Sequence, residues 1–176
     1  MKTLIIQGSS RSTGNTSNII GLLKEQLHAD LIDLRLKNIS AYDYEHHNQN
    51  DDFLPLMREV VKYDLIILAT PVYWYSMSGL MKNFLDRITD CLKIEKETGR
   101  KLRGKSLAAI ACGSEETVTR GFFEPFRLSA AYLGMEYCGD LHTWIEEVEP
   151  TQQVKDSVTT FAESLKVSTN VNFVIR

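Results

Sequence analysis

The chain has few of the residues that mark secreted, metal-binding or membrane-spanning proteins. Its 176 residues include only three cysteines, an odd number at wide spacings, so neither a disulfide framework nor a metal knuckle is indicated. No apolar run approaches the ~20 residues of a membrane span. The amino terminus also lacks a basic region followed by a long apolar stretch. We therefore expect a cytosolic protein with no membrane segment and no metal, whose cysteines are reduced and mostly buried.

Neither basic nor acidic residues are in large excess. Twenty basic and 23 acidic residues give a formal net charge of −3, and no basic helix or aromatic-basic platform occurs. These features argue against a nucleic-acid surface. A hydrophobic fraction of 43% and a charged fraction of 24% are ordinary for a globular protein. The length predicts a single domain over residues 1–176.

Short apolar runs alternate with amphipathic segments along the chain. Five runs are interpreted as strands: Leu4–Ile6, Leu31–Leu34, Leu65–Ala69, Ser106–Cys112 and Met135–Leu141. With five intervening or flanking helices, this alternation predicts an α/β fold with a doubly wound, five-stranded parallel sheet of order 2-1-3-4-5. Ligands bind such sheets outside the carboxyl ends of the first and third strands. The tail Ser168–Arg176 is interpreted as a short strand-like piece.

The loop Gly8–Thr16, which reads GSSRSTGNT, lies between the first strand and the first helix. Backbone amides at such a turn meet the positive end of a helix dipole, which favours an anion. Gly8 and Gly14 allow close approach, and the Arg11 guanidinium can form two hydrogen bonds to a phosphate. The loop has neither the Gly-Lys-Ser/Thr ending nor the G-x-G-x-x-G spacing of the common nucleotide loops. It predicts a phosphate site, with an ordinary capped turn as the alternative.

A second loop, Thr70–Gly79, follows the third strand and contains three adjacent aromatic residues at positions 73–75. Three large rings are awkward to bury together, and flat ligands bind against such rings. A core plug or a subunit contact is the alternative. In the helix that follows, Phe84 and Ile88 define the buried face, and Arg87 is placed largely off it. A ligand with a phosphate at one end and a flat ring system at the other fits both loops, and flavin mononucleotide (FMN) is such a ligand.

Two groups of residues carry a resemblance to a known family. They are Gly8-Ser9-Ser10-Arg11 with Gly14-Asn15-Thr16, and Pro71-Val72-Tyr73 leading to Gly79-x-x-Lys82-x-Phe84-x-Asp86-Arg87. In order and at these strand ends they resemble the NAD(P)H-dependent FMN reductases of the flavodoxin-like superfamily, over a span from Met1 to about Lys166. The resemblance implies FMN contacts from three groups of residues: Ser9, Arg11, Gly14, Asn15 and Thr16 at the phosphate, Pro71, Val72, Tyr73 and Trp74 along the ring, and Gly113 and Ser114 on its other side.

The resemblance also implies an activity and an assembly. The expected enzyme takes a hydride from NAD(P)H and passes electrons to a flavin, a quinone or another small acceptor, and it forms a homodimer or homotetramer. Such chemistry belongs to the cofactor, so no catalytic residue is assigned, and His142 is interpreted as a lone polar residue at a strand end. Some relatives carry an iron–sulfur centre after the second strand. Here Ile39–Asp52 contains no cysteine, which excludes that class.

Other interpretations remain open. A flavodoxin-like one-electron carrier would bind FMN without oxidising NAD(P)H itself, although the arginine in the phosphate loop favours the reductase. A Rossmann-type nucleotide binder is suggested only by Asp33 after the second strand. The basic residues of Lys93–Lys105 could attract an anionic cosubstrate or form a solvated loop. The adjacent His46 and His47 are expected at a loop surface without a metal, because neighbouring side chains diverge.

Overall fold

A computed structural model describes residues 1–146 and 149–174, with side chains described up to residue 168. Its strands are β1 (Thr3–Gln7), β2 (Asp30–Asp33), β3 (Leu65–Tyr73), β4 (Ser76–Met77), β5 (Ser106–Gly113) and β6 (Glu136–Trp144). Five of them pair in parallel in the order β2-β1-β3-β5-β6, and the two-residue β4 pairs antiparallel with the end of β3. Without β4 this is the predicted order 2-1-3-4-5, which is confirmed.

Helices cover both faces of the sheet. They are α1 (Asn15–Leu27), α2 (Phe53–Val60), α3 (Gly79–Lys93), α4 (Lys96–Arg100), α5 (Glu124–Leu133) and α6 (Gln152–Val174), with a 3₁₀ turn at Leu34–Leu36. Alternate residues of β1 face opposite sides. Leu4 and Ile6 pack in the cluster that includes α2, α3 and α5, whereas Ile5 packs with α1 and α6. The sheet is therefore doubly wound, as predicted.

Two strands, β3 and β6, extend several residues beyond their predicted carboxyl ends. β3 continues through Tyr73 because Val72 and Tyr73 pair with Met77 and Ser76 of β4. β6 continues to Trp144, which pairs with Gly113 at the end of β5. Both extensions lengthen the carboxyl edge of the sheet, where the two predicted ligand loops lie.

The carboxyl-terminal prediction is wrong. Residues 168–174 continue α6 as a helix rather than forming a strand-like piece, while Ile175 and Arg176 lie outside the described residues. The Thr151 hydroxyl accepts a hydrogen bond from the Val154 amide at the start of this helix, at 3.3 Å. No glycine or proline follows before residue 176, so no local signal ends the helix.

The predicted location of Arg87, largely off the buried face of its helix, is also wrong. It is completely buried and donates from α3 to Asp51 and Asp90, whose side chains are also buried. Asp90 further contacts His46 Nδ1 at 2.8 Å. These contacts attach the connection between β2 and α2 to the side of α3.

The structure also shows the surroundings of the adjacent histidines and bears on metal and membrane binding. His47 Nδ1 lies 2.6 Å from Asp43 Oδ2, whereas His46 Nδ1 contacts Asp90, so the two histidine side chains diverge as predicted. Within the described part of the chain, no three His, Cys, Asp or Glu side chains are grouped as metal ligands. No helix there combines the length and hydropathy needed to span a bilayer.

Candidate functional site

The phosphate and aromatic loops meet at the carboxyl edge of the sheet. The hydroxyls of Ser10 and Tyr73 are 2.6 Å apart and join the two loops directly. The Gly8 amide donates to the Ala69 carbonyl at 2.8 Å, which continues the pairing of β1 with β3 beyond the strand end. The sequence-predicted convergence of these loops is therefore visible in the structure.

Gly8 allows the start of α3 to pack against the phosphate loop. A Cβ atom at this position would lie 2.9 Å from Met81 Cβ, closer than side chains approach one another. The Ser78 hydroxyl donates to the Gly8 carbonyl and also accepts from the Met81 amide, at 3.1 Å. A larger residue at position 8 would force α3 away from the loop.

The amino end of α1 is open. Gly14 precedes the helix with φ 149°, no side chain caps its first turn, and that turn contains no acidic residue. The Arg11 guanidinium lies across this end, with Cζ 3.5 Å from the position a Gly14 Cβ would occupy. Arg11 is exposed, and no carboxylate of the described residues pairs with it. A guanidinium beside the positive end of a helix dipole is repelled unless an anion lies between them.

Three other predicted phosphate-site residues shape or line this loop. Ser9 is buried, and its hydroxyl accepts from the Arg11 amide at 3.3 Å. The Asn15 side-chain amide donates to the Ile145 carbonyl at 3.2 Å, which ties α1 to the end of β6. Thr16 is buried in the first turn of α1. The Arg11 side chain, by contrast, is exposed beside Gly14 at the amino end of α1.

The aromatic loop contains an unusual turn. Trp74 (φ 47°) and Tyr75 (φ 63°) are both in the left-handed region and connect β3 to β4. Two-residue turns of this kind prefer Asn-Gly, and each non-glycine residue in a sparsely populated region costs about 1–3 kcal/mol. The two side chains are 93% and 74% exposed, so packing does not repay this strain. Such strain at an exposed aromatic pair makes this turn a candidate ligand surface.

A cavity of about 580 Å³ opens beside this turn, within the usual size range of ligand pockets. Its lining comprises Val72, Trp74 and Tyr75 from the aromatic loop together with residues 113–115, 117–119 and His142. Of the residues predicted along the ring, Val72 and Trp74 line this cavity, together with Gly113 and Ser114. Pro71 is instead buried in β3 opposite Cys112, and Tyr73 contacts Ser10.

His142, which the sequence analysis interpreted as a lone polar residue at a strand end, also lines this cavity. Its Nε2 atom lies 2.9 Å from the Glu115 carbonyl oxygen, which can only accept, so Nε2 carries the proton. Nδ1 is buried and has no partner among the described residues. A Cβ on Gly113 would lie 3.2 Å from His142 Cε1, so Gly113 gives the ring its space. The sequence offered one indication of this position, because His142 directly follows the apolar run predicted to end at Leu141. In the structure that strand continues to Trp144, which brings His142 beside the end of β5.

Other sequence candidates lie away from the site or have structural roles. Lys105 directly precedes β5, so the basic stretch it ends lies at the opposite edge of the sheet, and its ammonium donates to the Tyr63 carbonyl at 2.7 Å. The Asp33 carboxylate accepts from the Arg35 amide at 2.9 Å, and Asp30 accepts from the Tyr63 hydroxyl at 2.9 Å. Asp33, the acid that suggested a dinucleotide-binding fold, therefore has a partner within the fold.

Comparison with known proteins identifies the family. The model of the NADPH-dependent FMN reductase family matches residues 1–141. The chain belongs to this family. By membership it is an FMN-dependent NAD(P)H oxidoreductase, which favours the reductase over the electron carrier and the Rossmann-type binder.

Individual relatives agree with this assignment. YwqN of Bacillus subtilis strain 168, provisionally named an NAD(P)H-dependent FMN-containing oxidoreductase, is 27% identical over 149 residues, 79% of this chain and 82% of that protein. An NADPH azoreductase of Bacillus sp. strain OY1-2 is 30% identical over 116 residues, 65% of this chain and 61% of that protein. The solved Trp repressor binding protein from Bacillus subtilis has a TM-score of 0.74 at 21% identity, covering 93% of this chain and 97% of that one. The structural similarity concerns the fold.

Proposed function

We propose that this chain binds FMN across the two loops, oxidises NAD(P)H and passes the electrons to a small aromatic acceptor such as a quinone or an azo compound. The observation that supports this placement most strongly is the Arg11 guanidinium, which has no carboxylate partner among the described residues and lies over the open amino end of α1. This donor set fits a phosphate dianion, because charge-assisted hydrogen bonds and the helix dipole both favour it. The cavity beside the aromatic loop has the dimensions and the aromatic wall for a flat ring.

In the proposed mechanism the protein binds the cofactor and the substrates and orients them. FMN, when bound, accepts a hydride from NAD(P)H and delivers electrons to a second substrate. Arg11 and the amides at the start of α1 would hold the phosphate of FMN, and Val72, Trp74, Gly113 and Ser114 would contact its ring. His142 fixes the 113–119 wall by donating to the Glu115 carbonyl.

The proposed acceptor class rests on the exposed rings. Trp74 and Tyr75 present largely solvent-exposed aromatic faces at the mouth of the cavity, and aromatic faces stack on flat apolar molecules. The relative named an NADPH azoreductase reduces a compound of this shape, according to its name. A flat quinone or azo dye would therefore stack at the mouth without requiring a deep, selective pocket.

The same exposed rings support an assembly proposal. Tyr73, Trp74 and Tyr75 form a contiguous exposed aromatic patch, and such patches mark contact surfaces. We propose a single-domain homodimer or homotetramer in the cytosol, in which this patch borders a partner copy. Light scattering after size-exclusion chromatography tests the assembly, and a monomer at micromolar concentration would contradict it.

The test of the phosphate site compares two arginine substitutions. Arg11→Gln should weaken FMN binding at least tenfold, since it removes a charge-assisted contact. The matched control Arg103→Gln changes an exposed arginine at the opposite edge of the sheet and should leave FMN affinity unchanged. Flavin fluorescence titration measures both affinities. Equal affinity in wild type and Arg11→Gln would remove Arg11 from the site.

The test of the activity is anaerobic. Protein loaded with FMN and freed of excess should keep a visible absorption band that bleaches when NADPH or NADH is added. A retained band that resists both nucleotides would instead support the one-electron carrier. Reoxidation by a quinone or an azo dye then tests the acceptor class.

A further inference from the structure

Gln7, the last residue of β1, is a polar side chain that is almost completely buried, at 1% exposure. Its Nε2 atom donates to the Arg11 carbonyl at 3.2 Å, and its Oε1 atom lies 3.3 Å from the Ser17 hydroxyl. Because the Arg11 carbonyl can only accept, Nε2 is the atom that faces it. Burying a side-chain amide without partners is unfavourable, and both polar atoms of Gln7 have one. Gln7 therefore connects the end of β1 to the middle of the phosphate loop.

Ser17, in the first turn of α1, binds the next carbonyl of the loop. Its hydroxyl lies 2.7 Å from the Ser12 carbonyl oxygen. The hydroxyl carries one proton, and this contact is shorter than the 3.3 Å contact with Gln7 Oε1, so the Ser12 carbonyl receives the proton. Gln7 and Ser17 thus bind the consecutive carbonyls of Arg11 and Ser12, and they contact each other.

These contacts fix the direction of two peptide groups in the loop. In a trans peptide the C=O and N–H bonds point in opposite directions, and the described residues contain no cis peptide. With the Arg11 and Ser12 carbonyls directed to Gln7 and Ser17, the amides of Ser12 and Thr13 point the opposite way. Neither amide has a hydrogen-bond acceptor within residues 1–146 and 149–168. Successive free amides of a turn form a concavity that binds anions.

We propose that Gln7 and Ser17 are positioning residues that aim the amides of Ser12 and Thr13 at the phosphate of FMN and give the site its preference for FMN over riboflavin, which lacks the phosphate. The inference rests on the proposed function, because it requires the phosphate to lie at this loop. Each side chain acts through the loop backbone. Hydrogen bonds to a phosphate are charge-assisted and depend on direction, so turning these peptides weakens phosphate binding and leaves the ring contacts unchanged.

Titration of the apoprotein with FMN and with riboflavin, followed by flavin fluorescence, separates phosphate contacts from ring contacts. Gln7→Met replaces the amide by an apolar side chain of similar length, and Ser17→Ala removes the hydroxyl. Each should weaken FMN binding about tenfold and leave riboflavin binding unchanged. The matched control is Thr3→Val at the other end of β1, since Thr3 is also buried and its hydroxyl has no partner among the described residues. It should change neither affinity.

Nuclear magnetic resonance of isotopically labelled apoprotein reads out the two amides directly. FMN should move the amide proton resonances of Ser12 and Thr13 downfield, because donation to a phosphate deshields the proton, and riboflavin should not. Gln7→Met should reduce the shift at Ser12, whose amide shares a peptide group with the Arg11 carbonyl. Ser17→Ala should reduce the shift at Thr13, whose amide shares one with the Ser12 carbonyl.

Three results would overturn the inference. Variants that keep the wild-type ratio of FMN to riboflavin affinity, with undiminished amide shifts, would overturn it and leave the proposed function intact. Equal loss of affinity for both flavins in Gln7→Met and Ser17→Ala would indicate a general structural role and would also overturn it. A wild type that binds riboflavin as tightly as FMN would contradict the phosphate placement itself, and the inference with it.

Discussion

Replacing Arg87 by lysine tests how the buried ion network stabilises the fold. Arg87 is fully buried, and all five of its N–H groups are used. Nε donates to Asp90 at 2.8 Å, and Nη1 donates to Asp51 and to the Ser40 carbonyl, the latter at 2.9 Å. Nη2 donates to Asp51 and to the Asn48 carbonyl, at 3.1 and 3.0 Å. One side chain thus joins four acceptor residues from two segments.

Lysine keeps the charge but carries three N–H groups on one atom, so at least two of these acceptor contacts are lost. A buried polar group left without a partner costs about 1–3 kcal/mol, and breaking a buried pair costs about 3–5 kcal/mol. Because the charge is retained, we expect Arg87→Lys to lower the free energy of unfolding by about 3 kcal/mol. Urea denaturation monitored by circular dichroism measures this value.

The control for this prediction is Arg58→Lys. Arg58 pairs with Glu95, but the Arg58 side chain is 55% exposed. Arg58→Lys should therefore lower the free energy of unfolding by no more than about 1 kcal/mol. An Arg87→Lys protein as stable as the Arg58→Lys protein would refute the reasoning.

Acid titration gives a second expectation for the same network. Burial opposes ionisation of Asp51, but hydrogen bonds from Arg87 and from the amides of Phe53 and Ser40 outweigh it and hold the pKa of Asp51 below its usual value. A depressed folded-state pKa stabilises the protein above the unfolded-state pKa, and this contribution is lost as the pH falls through the folded-state pKa. Wild type should therefore lose stability below about pH 4, and Arg87→Lys should lose less.

Three further predictions concern the loops and the thiols. Tyr73→Phe removes the 2.6 Å contact with Ser10 and should weaken FMN binding several-fold in fluorescence titration, whereas Tyr75→Phe, with no such contact in the described residues, should not. Trp74→Gly relieves a φ of 47° at a 93% exposed side chain, so its unfolding free energy should equal or exceed that of wild type while reductase activity falls; a loss of more than about 1 kcal/mol would contradict the strain. Burial raises the pKa of Cys91 to about 12 and that of Cys112 to about 11, so a thiol reagent at about pH 8 should label neither in native protein and all three cysteines in denaturing urea.

The strand order and the two loops were predictable because both depend on local pattern. Buried parallel strands are continuous apolar runs, and 2-1-3-4-5 is a common order for five strands in a doubly wound sheet. The glycines and hydroxyl residues of Gly8–Thr16 indicate a phosphate turn wherever it occurs. None of these signals requires knowledge of a distant residue.

Arg87 shows where local pattern is insufficient. It is three residues after Phe84 and four before Cys91, both buried, so helical spacing does place it on the inner stripe. Its charge argued for the surface, because arginine is almost never fully buried unless it is paired. The partner acid Asp51 lies 36 residues away in sequence, so no local signal could identify the pair. The contact of His142 with the Glu115 carbonyl, 27 residues away, likewise has no local signal.

Several residues lie in environments that are unfavourable for their residue type. Where other residues of the fold offset the cost, the feature is structural, and where none does, the feature suggests a ligand site. At Arg87 a buried charge violates the burial rule, but all five donors find acceptors within the fold. At Arg11 a cation lies against the positive end of α1, and at Trp74 and Tyr75 two aromatic residues adopt strained left-handed conformations while exposed. Neither of these violations is repaid by the described residues. Natural sequences keep such uncompensated costs at functional sites, and a ligand with an anionic end and a flat aromatic end would offset both at once.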